Sequence, residues 1–354
     1  MSTANFYPIR RNLLHWYDQT QRDLPWRRTR NPYAIWIAET MLQQTQVKTV
    51  LPYYHRFIKA FPTIEALDLA SKEEVLALWS GLGYYRRAEN LKKASRKIVR
   101  DHGGKVPREF NALCALPGVG PYTAGAMMSI AFNQAYPALD GNARRVLVRL
   151  FAPKREKDLR EVGRQLVSPS RPGDFNQALM ELGATTCFAK DPRCPTCPVA
   201  GLCPANKSGR FDLKRLSLEK KEIKNIDWPL ALIEKNGKIL LRRRPKGGIL
   251  GGLWELPGGE RKKGESVRAA LARHLNGLAE QMGPHSQIGE FRHSITYRRI
   301  RAPLFAFVRS NSNKIRLPHS SWRWFSPSSL ERYPLSSLSL KAVRYFTQRS
   351  NIYG

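Results

Sequence analysis

The stretch CFAKDPRCPTCPVAGLC, residues 187–203, holds four of the chain's five cysteines. Their spacing is Cys187-x6-Cys194-x2-Cys197-x5-Cys203. A Cys-x2-Cys pair lets two thiolates grip one metal centre, and the flanking gaps bring in a further thiolate from each side. Proline follows three of the four (Pro195, Pro198 and Pro204), which stiffens the loop and removes competing backbone donors. The N-terminal MSTANFYPIRRNLLHWYDQT lacks an apolar core of signal-peptide length, and no uninterrupted apolar run would span a bilayer. A cytoplasmic location is therefore expected, where thiols stay reduced and disulfides are the weakest reading of the cysteines. The residues alone leave a [4Fe–4S] cluster and a structural zinc both open, although four-cysteine zinc sites more often use two Cys-x2-Cys knuckles. Lys190 and Arg193 stand in the first gap, either as solubilising charges or as phosphate contacts. Cys114, the fifth cysteine, falls on an apolar helix face and reads as core.

The cysteine loop is set in a strongly basic chain. Sixty Lys and Arg against 28 Asp and Glu leave a net charge of +32. Residues 226–354 carry 23 basic and 8 acidic residues, a balance of +15, so +17 remains for residues 1–225. Such a field attracts polyanions, and no amphipathic basic helix or lipidation motif points to a membrane instead. Nucleic acid is the expected partner.

Up to about residue 186 the pattern is helical, in short amphipathic pieces divided by Pro and Gly. NPYAIWIAETMLQQTQVKTV opens with Asn31 as cap and Pro32 in the first turn. SKEEVLALWSGLGYYRRAENLKKASRKIVRDHG reads as two helices broken at Gly81–Gly83. ANKSGRFDLKRLSLEKKEIKN is polar and charged, as a connector would be. Beyond it WPLALIE, KILLRRR and LFAFVRS read as strands, and SVRAALARHLNGLAEQM as one helix. An all-α part followed by a smaller α/β part is expected.

LPGVGPYTAGAMM (116–128) follows a short helix and opens another. Gly118 and Gly120 allow backbone N–H groups to approach an anion at a helix start, which reads as a helix-hairpin-helix gripping a DNA phosphate. Asp140, in YPALDGNARR, precedes a helix and is explained as an N-cap without any chemistry. Glu39, in IWIAETMLQQ, is either an exposed face residue or a carboxyl with a raised pKa. Together the two carboxylates suit cleavage of a glycosidic bond, one donating a proton to the leaving group and one facing an oxocarbenium-like centre. A base held in duplex must first be extruded to reach them.

These features, in this order, resemble the helix-hairpin-helix DNA glycosylases with a Gly/Pro-rich loop and aspartate, and among them the MutY-type adenine glycosylases. AETMLQQTQVKTV, LPGVGPYTAGA, LDGNARRVLVRL, NQALMELGATTC and the cysteine spacing carry the resemblance over about residues 6–204. It implies one [4Fe–4S] cluster on Cys187, Cys194, Cys197 and Cys203. It also implies an all-α glycosylase domain at 1–205, with a six-helix part near 28–136 and an iron–sulfur part from 1–27 and 137–205. A linker at 206–226 and a second domain at 227–354 follow. By position, Glu39 would protonate adenine N7, and Asp140 would stabilise or trap the oxocarbenium ion and help activate water. Tyr122 and Asn142 would hydrogen-bond around them. Arg22, Leu24 and Trp26 of RDLPW, with Gln177, would wall the adenine pocket, and Gln44, Leu82 and Tyr84 would wedge into the duplex.

Endonuclease III-type enzymes share the fold and the cluster but carry a lysine at the second position after LPGVG, and VDTH in place of LDGN. Here those places hold Tyr122 and LDGN. Without the lysine amine, a β-lyase step lacks its nucleophile, so a monofunctional glycosylase is the better fit. A catalytically silent DNA-binding protein is the remaining alternative, and Glu39 with Asp140 argues against it.

LLRRRPKGGILGGLWELPGGE resembles the front half of a Nudix domain. The helix that should carry clustered acids for a divalent metal is ESVRAALARHLNGLAE, with Arg268, Arg273 and His274, so diphosphate hydrolysis is not expected. The family resemblance implies instead a module that reads 8-oxoguanine opposite adenine through a loop centred on Phe-Ser-His. This chain has Phe291-Arg292-His293 and then Ser294, departing at Arg292. Phe291 would wedge beside the lesion, and His293 or Ser294 would hydrogen-bond it. The implied partner is duplex DNA with adenine opposite 8-oxoguanine or guanine, with no membrane partner and a monomeric enzyme.

Overall fold

Proline and glycine punctuate the first two hundred residues into helices, as their spacing suggests. The computed structural model describes residues 6–209, 222–245, 247, 250–281, 285–307, 317 and 320–350. Most of the expected linker therefore lies outside the described residues. In chain order the helices are α1 (Tyr7–Thr20), α2 (Pro32–Leu42), α3 (Val47–Ala60), α4 (Ile64–Leu69), α5 (Lys72–Leu78), α6 (Arg86–His102) and α7 (Phe110–Cys114). They continue as α8 (Pro121–Ile130), α9 (Gly141–Phe151), α10 (Glu156–Leu166), α11 (Pro172–Thr185), α12 (Pro204–Ser208), α13 (Val267–Leu275) and α14 (Ser337–Ser350). Among the described residues no helix is long and apolar enough to cross a membrane. By their contacts the residues form two units, one from Met1–Leu69 with Asn90–Glu219, the other from Ala70–Glu89 with Lys220–Gly354.

In the first unit, the Asn31 side chain accepts from the N–H groups of Tyr33 and Ala34 at 2.9 and 3.3 Å, and Pro32 fills the first position of α2. Helix α2 is apolar on nearly every side, so it is buried along its length, and Glu39 is carried inside with Ile35, Trp36, Ile37 and Met41. A second core joins α1, α9, α10 and α11 through Leu13, Tyr17, Leu147, Leu159, Phe175 and Leu182, and Cys187, Cys197 and Cys203 pack against it. Gly118 has φ +80°, and a methyl there would fall 2.7 Å from Asn90 Cβ, so both conformation and space require glycine. Gly125, in α8, lies so close to the loop before α9 that a Cβ would stand 2.2 Å from the Pro137 carbonyl oxygen. That approach sets where the chain re-emerges at Asp140.

The second unit is a mixed α/β arrangement. Its strands are β1 (Lys224–Asp227), β2 (Leu230–Leu232), β3 (Glu234–Lys235), β4 (Lys238–Arg243), β5 (Trp254–Glu255), β6 (His285–Ile295), β7 (Arg298–Phe307) and β8 (Trp322–Phe325). β7 pairs antiparallel with β6 and parallel with β1 and β2, while β4 joins β3, β5 and β8. Leu230, Leu241, Leu256, Leu304 and Phe325 meet in its core. The single helix expected over SVRAALARHLNGLAEQM is shorter: α13 stops at Leu275, because Asn276 (φ +51°) and Gly277 (φ +81°) are both left-handed, and a 3-10 turn follows at Leu278–Gln281. The stretch Ala70–Glu89 is tied in where the Tyr85 hydroxyl donates to the Leu335 carbonyl at 2.5 Å.

The close approach at Gly125 makes a stability prediction. Gly125→Ala should cost about 1–3 kcal/mol, because backbone rather than a flexible side chain must give way. Gly201→Ala, where a methyl meets nothing within 4 Å, should stay within about 0.5 kcal/mol of the parent. Urea unfolding of the two variants in parallel tests the contrast.

Candidate active site

Three elements of the first unit bring the expected catalytic residues together. Glu39 comes from the buried length of α2, Tyr122 from the first turn of α8 and Asp140 from the cap of α9. The Tyr122 hydroxyl donates to Glu39 Oε2 at 2.5 Å and also lies 3.6 Å from Met180 Sδ. Asp140 is an N-cap after all: its Oδ1 accepts from the Ala143 N–H at 2.7 Å. The other oxygen accepts from the Asn142 amide at 3.1 Å. The cap thus serves to aim a carboxylate.

Burial pushes the Glu39 carboxyl up to about 7; the Tyr122 hydroxyl opposes this, the Asp140 charge adds to it, and Arg27 works against it. Asp140 is also raised by burial, against the Ala143 and Asn142 hydrogen bonds and the positive charge of Arg145. Burial and the two carboxylates hold the Tyr122 phenol well above its ordinary value, so it stays a donor. Near neutrality the site offers one carboxyl that exchanges its proton beside a second carboxyl group, Asp140, fixed by hydrogen bonds. Those are the two groups that acid-assisted glycosidic cleavage needs.

Leu24 and Trp26 are buried, with Trp26 edge-on to Tyr54 at 5.2 Å, and Gln177 is buried on α11. Arg22 binds Glu181 through two hydrogen bonds of 2.6 and 2.8 Å, and Arg27 adds a third at 2.8 Å. Glu181 is buried, which alone would raise its pKa, but the two arginines outweigh burial and hold it below the usual carboxylate range. Arg22 is therefore anchored to the helix that carries Gln177. Glu181 and Arg27 were missed in the sequence because their partners are more than 150 residues away, and ALMELG gives no sign of a buried carboxylate.

The four cysteines line one small cavity with Arg149 and Arg193. No three His, Cys, Asp or Glu side chains among the described residues converge closely enough to hold a single metal ion. Arg149, buried on α9, donates to Cys187 Sγ at 3.1 Å and to the carbonyls of Phe188 and Ala189 at 2.6 and 3.0 Å. Arg145, one turn earlier, donates to the Cys187 carbonyl at 2.7 Å and to Asn142 Oδ1 at 2.8 Å, joining the loop to the Asp140 neighbourhood. Neither arginine was singled out from the sequence. Lys190 and Arg193 are exposed, and the Arg193 guanidinium lies 5.2 Å from the Phe188 ring. At the hairpin, a methyl on Gly120 would meet nothing within 4 Å, so the start of α8 is open to an approaching group.

Gln44 is exposed with φ +59°, a left-handed conformation that costs a non-glycine residue energy and is often kept for function. In the second unit Tyr84 has φ +49° and is 41% exposed, with Arg87 5.3 Å from its ring. Leu82, expected in the same wedge, is buried.

Phe-Arg-His-Ser, expected on a loop, lies inside β6, and the hairpin turns only at Thr296. Strand alternation then separates the residues. Phe291 is buried edge-on to Tyr345 at 5.4 Å and is a core residue rather than a wedge. His293 is half-buried, its pKa lowered by burial and by Lys341, while Arg292 and Ser294 are exposed. On α13, Arg273 is bound to Glu265 at 2.7 and 2.8 Å. Burial lowers His274 to about 4, and its ring fills the space beside Gly259.

Comparison with known proteins agrees with this geometry. Residues 37–172 match the HhH-GPD superfamily of base excision DNA repair proteins, and residues 230–345 match the NUDIX domain. The adenine DNA glycosylase of Rattus norvegicus is 35% identical over 98% of this chain and 79% of its own length. That of Homo sapiens is 36% identical over 97% and 74%. Among solved structures, a thermostable thymine-DNA glycosylase is 33% identical with a TM-score of 0.55, over 57% of this chain and 97% of its own. A non-covalent endonuclease III–DNA complex, 24% identical with a TM-score of 0.52 over 60% of this chain and all of its own, shares the fold. Identity at this level across both domains means that the chain belongs to the MutY-type adenine DNA glycosylases.

Proposed function

We propose that this DNA N-glycosylase excises adenine paired with 8-oxoguanine or guanine, using Glu39 as general acid and Asp140 as the carboxylate that faces the oxocarbenium-like sugar. The observation that carries this reading is a buried Glu39 whose pKa lies near 7, hydrogen-bonded to Tyr122 and coupled to Asp140. Proton donation to adenine N7 turns the base into a neutral leaving group, and the ionised Asp140 stabilises the positive charge left on the sugar. Water then adds at the sugar carbon, or Asp140 bonds there first and water displaces it. Tyr122 holds Glu39 in place and Asn142 holds Asp140. Arg22, Leu24, Trp26 and Gln177 wall the base pocket, and Gln44 and Tyr84 enter the duplex. Gly118, Gly120, Lys190 and Arg193 take phosphates. In the second domain His293 or Ser294, which lie on opposite faces of β6, reads the lesion.

Cys187, Cys194, Cys197 and Cys203 would hold one [4Fe–4S] cluster. Four thiols set around a cavity, with Arg149 donating to one sulfur, suit a polynuclear centre better than one tetrahedral ion. When bound, the cluster would supply iron–thiolate bonds that hold the turns of the loop to one another, while Arg145 and Arg149 join the loop to α9. The enzyme is proposed to act as a monomer in the cytoplasm.

End-labelled duplexes with adenine opposite 8-oxoguanine, adenine opposite guanine, or thymine glycol test the substrate. Strand breaks should need hot alkali and be strongest opposite 8-oxoguanine; breaks on thymine glycol without alkali would sink the assignment. Single-turnover excision should fall as pH rises through about 7, where Glu39 loses its proton. Tyr122→Phe removes a bond that lowers the Glu39 pKa, so the alkaline limb should move to higher pH. Glu39→Gln should lose about 10²–10⁴-fold in rate. Between the ordinary carboxyl value of 4.5 and about 7, the folded protein keeps a proton that the unfolded chain releases, so Glu39 costs stability as pH rises through that window. Glu39→Gln should therefore be more stable than the parent at pH 8, by about 3 kcal/mol at most, with the gain absent at pH 4. Cys197→Ala should lower the melting temperature and duplex affinity together, and iron and sulfide analysis of the parent should separate a cluster from zinc.

A further inference from the structure

One face of the β6–β7 hairpin carries more positive charge than its own carboxylates balance. Strand pairing puts Arg292 directly opposite Arg301 and Ser294 opposite Arg299, and parallel pairing with β1 adds Asp227 beside Arg301 and Asn225 beside Arg299. The loop from Glu260 to Gly264 borders this face and closes a cleft of about 790 Å³. Its six cations are Arg261, Lys262, Lys263, Arg292, Arg299 and Arg301, against Asp227 and Glu260. Asp227 is taken by Arg261 at 2.5 Å and, more loosely, by Arg301 at 3.8 Å. Glu290 also binds Arg301, at 3.0 Å. Among the described residues, no carboxylate forms an ion pair with Arg292, Arg299, Lys262 or Lys263.

Like charges set opposite one another on a sheet destabilise it. A stable domain keeps such an arrangement more readily when an anion occupies it. Six cations and a single imidazole in the lining suit an anion better than a nucleoside, whose pocket would offer rings for stacking. Here the ring that lines the cleft is His293, whose strand neighbours Phe291 and Ile295 share its side of β6, opposite to Arg292 and Ser294. The rows of Arg292 and Ser294 are two strand residues apart, about 7 Å. Forked guanidiniums at such a spacing, with two lysines on a facing loop, match successive phosphodiesters.

We infer that this cleft is a phosphate-binding site for the DNA backbone, formed by Arg292 and Arg299 on the strands and by Lys262 and Lys263 on the loop. It rests on the reading of this chain as a duplex-acting glycosylase. It also gives a reason for Arg292, the position where the chain departs from Phe-Ser-His: the side chain points to the phosphate face, so it adds affinity without reading a base.

The test measures duplex binding by fluorescence anisotropy in full-length Glu39→Gln protein, so that no substrate turns over. Salt is varied from about 50 to 200 mM, over which phosphate contacts dominate the change in affinity. Lys262→Gln with Lys263→Gln lies on an exposed loop and leaves the strands intact; Arg292→Gln with Arg299→Gln is read beside the charge-preserving Lys pair. Each Gln pair should flatten the slope of log K against log salt by up to about 1.8, at 0.9 per lost phosphate contact. The loss should be equal for adenine opposite 8-oxoguanine, adenine opposite guanine and matched duplex, and the Lys pair should keep most of the slope. An unchanged slope would overturn the site, as would a loss confined to the 8-oxoguanine duplex. Inorganic tripolyphosphate that binds the parent more tightly than duplex does, and not the variants, would assign the cleft to free polyphosphates and also overturn it. If unmodified protein excises adenine while the slopes stay fixed, only this inference fails. If it neither binds duplex nor excises, the functional reading fails with it.

Discussion

The burial of one carboxyl is the constraint on which the site in the first domain depends. Taking Glu39 out of water is costly when it is charged, and its surroundings limit that cost without removing it. Helix α2 is apolar enough to be drawn inside whole, and Glu39 goes with it. Among the described residues one donor, the Tyr122 hydroxyl, meets the carboxyl, and the nearby Asp140 charge works against ionisation. Two donors would have lowered the pKa further and spoiled the acid. The result is a group that holds its proton near neutrality, as a general acid must.

The second carboxylate is placed by backbone packing. Gly125 lets the Pro137 carbonyl settle against α8, and Gly183 lets the start of α9 lie against α11, where a methyl would stand 2.6 Å from Asn142 Cβ. Asp140 then caps α9, and Asn142 and Arg145 extend the hydrogen bonds to the Cys187 carbonyl. The cysteine loop and the Asp140 cap thus share α9 and one chain of hydrogen bonds.

The second domain keeps a Nudix-like scaffold with an altered polar interior. Glu265 is bound to Arg273, and His274 stays neutral in a tight place beside Gly259. Glu255 is buried between Arg242 and Arg244 at 3.0 and 2.8 Å. Glu255 and Glu265 are thus committed to arginines.

Much of this was legible in the amino-acid order, because the informative features are local. Cap residues, Pro at helix starts, the Gly81–Gly83 break and the Cys-x2-Cys spacing each act within a few residues. So does the cap at 140, whereas Glu39 and Tyr122, 83 residues apart, were legible only through the family resemblance. What tertiary structure alone decided concerns partners far apart in the chain. Glu181 becomes an anchor only when α1's end and α11 meet, and Arg145 and Arg149 matter only once the cysteine loop folds over α9. Strand register turned Phe291 inward and Arg292 outward, since a β-strand's faces alternate and a one-residue shift exchanges them. The sequence by itself determined which chemical groups are present and the helices that carry them. Only the folded chain decided which of those groups lose water and which meet, and those two events set every pKa in the site.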